Sequence, residues 1–150
     1  KLIDKYSKKK KHQIKKYWII PGVQDLLADF VEEFSMGAVS ARDENSAVAF
    51  ISQFNLEKYF KVLVTSQTCR HTKPFPDPLL FAAEKLGVEP KFCLMVGDTT
   101  VDMKAAKLAG MQAVGVLCGF GREKELKRAG AVLLSTLLIF LRHIFISHEK

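Results

Sequence analysis

Short apolar runs alternate with stretches of helical period along this chain, and the alternation predicts strands and helices in turn. Pro21 and Gly22 open a helix reaching about Phe34, with Val23, Leu26, Leu27 and Phe30 spaced to bury one stripe. A short strand over 36–39 ends at Ser40, and the polar turn Ala41-Arg42-Asp43 leads into a helix carrying Val48, Ile51 and Phe54. The next strand, 62–65, precedes a loop holding Lys73-Pro74-Phe75-Pro76 and a helix over 77–86 closed by Gly87. Then come a strand over 92–96, a helix ending at Ala109 with Gly110 as its stop, a strand over 113–117, a basic helix over 122–128 and a strand over 131–134. Strands separated by helices imply crossover connections and a mostly parallel sheet covered on both faces.

At 150 residues the chain is long enough for one domain with a core of its own, and 48% hydrophobic residues exclude a disordered protein. Cys69, Cys93 and Cys118 are an odd set without paired spacing, and two of them fall in apolar strand patterns; they read as small apolar residues of a reduced, cytoplasmic protein. No signal peptide is recognisable. The apolar run 131–141, broken by Ser135 and Thr136, falls short of the roughly 18 residues of a bilayer span. It reads as a strand followed by a helix whose all-round apolarity suits a docking face or a homodimer contact.

The net charge of +7 is local. Residues 1–16 hold eight lysines against the single acid Asp4, while residues 17–150 are balanced at fifteen basic and fifteen acidic groups. Such an arm is compatible with nucleic acid or an anionic surface, but no base-reading module stands behind it, so a solvated arm is the expectation. The division expected is therefore an arm over 1–16 and an α/β core over 17–150.

Ligands of parallel sheets bind beyond the carboxyl ends of the strands. Ser40, Lys73 in the loop after the next strand, and Asp98 fall at such ends in succession, and Asp98 and Asp102 are carboxylates four residues apart of the kind that hold magnesium. A hydroxyl, an ammonium and carboxylates around one crevice suit a phosphate ester. His71 reads as a solvated loop residue, and Arg42 as an exposed residue at the start of a helix.

Pro21-Gly22-Val23, the strand ending in Ser40, Lys73-Pro74 followed by Asp77-Pro78, and Val96-Gly97-Asp98 through Asp102 together resemble the later motifs of the haloacid dehalogenase superfamily, in its phosphoglycolate-phosphatase-like branch. The resemblance covers roughly residues 17–135 and implies a Rossmann-like core. It implies that Ser40 and the Ala41 amide bind the transferring phosphoryl group, with Ala41 where many relatives have asparagine. It further implies that Lys73 stabilises nucleophile and phosphate, that Asp98 coordinates Mg2+, and that Asp102 binds the metal through water or positions Lys73. The implied substrate is a small phosphate ester.

One expected part is missing. The superfamily's nucleophile is an aspartate at the end of its first strand, with a second aspartate two residues on, and no apolar strand followed by Asp-x-Asp precedes Ser40. Asp4 follows only Leu2 and Ile3, and position 6 is Tyr6. The first strand, central in the family between the second and the fourth, and the cap are thus expected to be absent or replaced, with residues 17–20 the only amino-terminal run apolar enough to fill the gap. The chain is expected to be inactive alone. A non-catalytic interaction protein and a dehalogenase-type hydrolase are the alternatives.

Overall fold

The computed structural model describes residues 17–131 and the backbone of residues 133–135. The arm over 1–16 and the run after Ser135, with the helix and subunit contact expected of it, lie outside the described residues.

The elements follow the predicted order: α1 (Val23–Phe30), β1 (Gly37–Val39), α2 (Glu44–Gln53), β2 (Val62–Val64), α3 (Asp77–Leu86), β3 (Leu94–Gly97), α4 (Thr100–Ala109), β4 (Gln112–Val116), α5 (Glu123–Ala129) and β5 (Leu133–Ser135). Local chemistry sets their ends. Asp43 caps α2 by accepting from the Ser46 N–H at 3.0 Å. Gly87 and Gly110 close α3 and α4 in the left-handed region, at φ of 70° and 72°. The strand expected over 92–96 begins later, because Pro90 opens a 3-10 turn over Pro90–Phe92 that consumes its first residue.

All pairings are parallel, but the described strands form two sheets: β1 with β2, and β3 with β4 and β5. Among the described residues, no strand pairs with the second edge of β1 or of β3. The ladder shows which main-chain groups this leaves open. Met36 O accepts from Lys61 N–H, and Ser40 N–H donates to Val64 O, so even-numbered residues of β1 face β2. Gly37 and Val39 therefore turn their main-chain groups the other way.

Both sheets nevertheless share helical layers. On one face Leu79 of α3, Met103 and Ala106 of α4 and Leu126 of α5 form one cluster with Ala113, onto which Val39 of β1 and Met95 of β3 pack. On the other, Leu26 of α1 meets Val114 and Val116, alternating with Ala113 along β4 as the pleat requires. Leu27 of the same helix and Val31 just after its end join the cluster of Ile51, Leu56 and Tyr59.

Residues 17–20 do not fill the opening between β1 and β3. They run as irregular chain against α2: Tyr17 exchanges hydrogen bonds with the Gln53 amide, its ring meets Phe50 edge-on at 5.6 Å, and Ile19 packs against the cluster of Ile51, Leu56 and Tyr59. Apolarity drew this run to the nearest apolar helix face rather than into a ladder. Among the described residues, no helix is long and apolar enough to cross a membrane.

Candidate active site

Lys73 lies in the loop between β2 and α3, after which the chain turns at the cis Lys73-Pro74 bond. Its ammonium donates to Val39 O at 2.9 Å and lies 2.7 Å from Asp102 Oδ1. One cation thus ties the end of β1 to the start of α4 across the opening. Both side chains are deeply buried, 10% and 6% exposed, where an ion pair is little screened.

Asp102 is fully committed. Its Oδ2 accepts from Thr99 N–H at 3.1 Å and Thr99 Oγ1 at 2.6 Å, in a capping box that starts α4, while Oδ1 faces Lys73. The same carboxylate thus caps α4 and pairs with Lys73. Gly97 makes the arrangement possible: a Cβ there would lie 2.5 Å from the Asp102 Cβ, so only glycine lets the strand end approach α4 this closely.

Asp98 is half-buried at the bend between β3 and α4. Its Oδ2 accepts from the Phe120 N–H at 3.0 Å, and its carbonyl accepts from the Gly121 N–H at 2.7 Å. No hydrogen bond to Oδ1 occurs among the described residues. As a hard oxygen open on one side, it suits one ligand position of magnesium. Both Asp102 oxygens already have partners, so any contact with an ion would run through water, and no group of three or more His, Cys, Asp and Glu among the described residues could hold a metal by itself.

Ser40 continues β1 by one ladder bond to Val64, and its Oγ accepts from the Arg42 N–H at 3.1 Å. That turn leaves the hydroxyl proton free to donate and the Ala41 N–H without a partner among the described residues. Ser66 N–H to Arg42 O at 2.9 Å and Glu44 N–H to Gln67 Oε1 at 2.8 Å fasten this loop to the one after β2. The Arg42 guanidinium lies over the Tyr17 ring, 5.1 Å from its centroid, rather than toward the crevice.

Ser40, Lys73 and Asp98 therefore follow the carboxyl ends of β1, β2 and β3 as the sequence predicts, Asp102 stands in the first turn of α4, and Lys73 links the two sheets. Three contacts were not foreseen. His71 Nδ1 lies 2.9 Å from Asp77 Oδ1 and its ring stacks on Phe75, so it is not merely solvated. That hydrogen bond is the main reason the Asp77 carboxyl is held below its ordinary value. The Val39 carbonyl, a main-chain group, left no trace in residue type. The loop over 118–121 did leave a signal, two glycines flanking an aromatic residue just after β4. All three cysteines are unpaired and half-buried, and burial raises the Cys69 and Cys93 thiols above their ordinary value.

A family model for haloacid dehalogenase-like hydrolases matches residues 1–116. Phosphoglycolate phosphatase of Escherichia coli (strain K12) is 33% identical over 104 residues, 69% of this chain and 41% of that protein. The Salmonella typhi phosphoglycolate phosphatase is 34% identical over the same coverage. The chain thus spans less than half the length of these relatives. A hydrolase from Pseudomonas syringae has a crystal structure that superposes with a TM-score of 0.79 at 28% identity, over 87% of this chain and 61% of that one.

Proposed function

This chain belongs to the haloacid dehalogenase-like hydrolase family, and from that membership we propose that it is the phosphate-binding and cation-binding part of a phosphatase of the phosphoglycolate-phosphatase type. The observation that carries the reading is the Lys73 ammonium, held between the Val39 carbonyl and Asp102 at the carboxyl ends of parallel strands. A buried lysine so fixed is a preorganised positive charge for an anionic substrate.

In this reading the Ser40 hydroxyl and the Ala41 N–H donate to phosphoryl oxygens, and Lys73 neutralises their charge. Asp102 orients Lys73 rather than binding the cation. Asp98 would hold magnesium through Oδ1, and the ion when bound supplies charge neutralisation to the phosphoryl group. The family's nucleophile is an aspartate, and these 150 residues carry no Asp-x-Asp before Ser40. The chain therefore binds the phosphoryl group without turning it over. Retention of the Lys73–Asp102 pair favours a hydrolase part over a non-catalytic interaction protein, because a docking surface has no need of a buried cation.

Inorganic phosphate is the probe. Titrated into the isotopically labelled chain with magnesium present, it should shift the Ser40 and Ala41 amide resonances, and Lys73→Met should abolish the response. Phosphate shifts spread elsewhere, or kept in that variant, would sink the binding assignment. Magnesium-dependent hydrolysis of p-nitrophenyl phosphate, lost in Asp98→Asn, would sink the statement that no nucleophile is present.

A further inference from the structure

Asp98 stands at a bend where neither β3 nor α4 orients its side chain; a different part of the fold does so. The loop leaving β4 crosses over it and makes two main-chain contacts, Phe120 N–H to Oδ2 at 3.0 Å and Gly121 N–H to the carbonyl at 2.7 Å. That loop starts from a fixed base, since β4 pairs with β3 up to Gly97 opposite Gly115. Behind it, Leu126 is wholly buried and anchors α5.

The approach is so close that side chains are excluded. A Cβ at Gly119 would overlap the Asp98 carboxylate, and one at Gly121 would overlap both the Asp98 carbonyl and the Leu126 side chain. Neither glycine has a positive φ, so backbone freedom is not what these positions require. Between them, the Phe120 side chain is 93% exposed. The contact is thus made by the main chain, and residue type matters at 119 and 121 more than at 120.

Resting on the reading of Asp98 as a cation ligand, we propose that Gly119, Phe120 and Gly121 form a positioning clamp for that ligand. The Phe120 N–H occupies Oδ2 and fixes the rotation of the carboxylate. Oδ1 is left as the single oxygen presented to a divalent cation, which makes Asp98 a monodentate ligand. Hydrogen-bonded partners of this kind hold a ligand's orientation before the metal arrives, so their loss weakens binding without removing any ligand atom.

Manganese binding to the 150-residue chain, read by electron paramagnetic resonance and by broadening of amide resonances, tests the clamp. Broadening should centre on Asp98 and Phe120 and vanish in Asp98→Asn. Gly119→Ala, which displaces the carboxylate, and Phe120→Pro, which deletes the N–H, should each weaken affinity about 10- to 100-fold, whereas Phe120→Ala, which keeps the N–H, should stay within about twofold. Wild-type affinity in both Gly119→Ala and Phe120→Pro overturns the clamp, as does equal weakening in Phe120→Ala and Phe120→Pro. Manganese binding that survives Asp98→Asn overturns the cation reading itself and the clamp with it. Should the loop variants not fold, magnesium titration of the native chain decides: the Phe120 amide resonance must move with those of Asp98 and Thr99, and a Phe120 resonance that stays fixed while the other two move overturns the clamp.

Discussion

The Lys73 ammonium lies 2.7 Å from Asp102 Oδ1, and the two side chains are buried together where the β1–β2 sheet meets the sheet of β3, β4 and β5. Breaking a buried pair is costly because the remaining charge has no water to replace its partner, about 3–5 kcal/mol for the loss of one member. Asp102→Asn and Lys73→Met should each destabilise the chain by about 3 kcal/mol in urea unfolding. The double variant should lose clearly less than the sum, since it leaves no orphaned charge. Strict additivity would mean that the pair is not coupled in solution.

Gly97→Ala tests the same junction from the backbone side. The added methyl meets the Asp102 side chain at 2.5 Å, and Asp102 has no room to retreat while it caps α4 and holds Lys73. Overpacking of this kind costs about 1–3 kcal/mol. A midpoint unchanged in urea unfolding would show that α4 shifts freely against β3.

Helix ends with a local chemical cause were well marked in the sequence, whereas α1, expected to reach about Phe34, stops at Phe30. Gly87 and Gly110 stand at the left-handed positions expected of them, and Asp77 to Leu86 is helical from end to end as predicted. Residues whose fate depends on distant partners were not legible. The run over 17–20 is as apolar as a strand, yet its outcome depended on the face offered by Phe50 and Ile51 of α2. The same holds within the site. Ser40, Lys73, Asp98 and Asp102 could be named from motif order. The Val39 carbonyl and the Phe120 amide could not, since every residue carries those groups and only the fold selects which ones point inward.

The exposed pair of His71 and Asp77 predicts a pH effect of stated sign. The His71 hydrogen bond holds the folded Asp77 carboxyl below its ordinary 3.8. A lowered carboxyl stabilises the fold above the unfolded value and loses that contribution as the pH falls through the lower, folded value. His71→Ala should move the Asp77 midpoint, followed by carbon NMR of the carboxyl, back up toward 3.8. It should also lower stability slightly at neutral pH, by the small amount an exposed pair contributes, and leave stability unchanged below the folded midpoint, which flattens the acid dependence between the two. An Asp77 midpoint that ignores the substitution would assign the lowering to the start of α3.

The open edges of β1 and β3 predict a pattern of hydrogen exchange with single-residue resolution. Ser40 N–H is bonded to Val64 O and should exchange only when the β1–β2 ladder opens. Val39 N–H points to the other side, where no described residue accepts it, and should exchange much faster although it lies one residue away in the same strand. Burial alone cannot produce this contrast, because both residues are half-buried. The contrast also bears on the missing nucleophile: a parallel strand inserted between β1 and β3 would pair with the Val39 side of β1 and bring its carboxyl end beside Lys73 and Asp98. Val39 exchanging as slowly as Ser40 in the 150-residue chain would mean that some of its own residues already cover that edge, and the place proposed for a nucleophile-bearing strand would be taken.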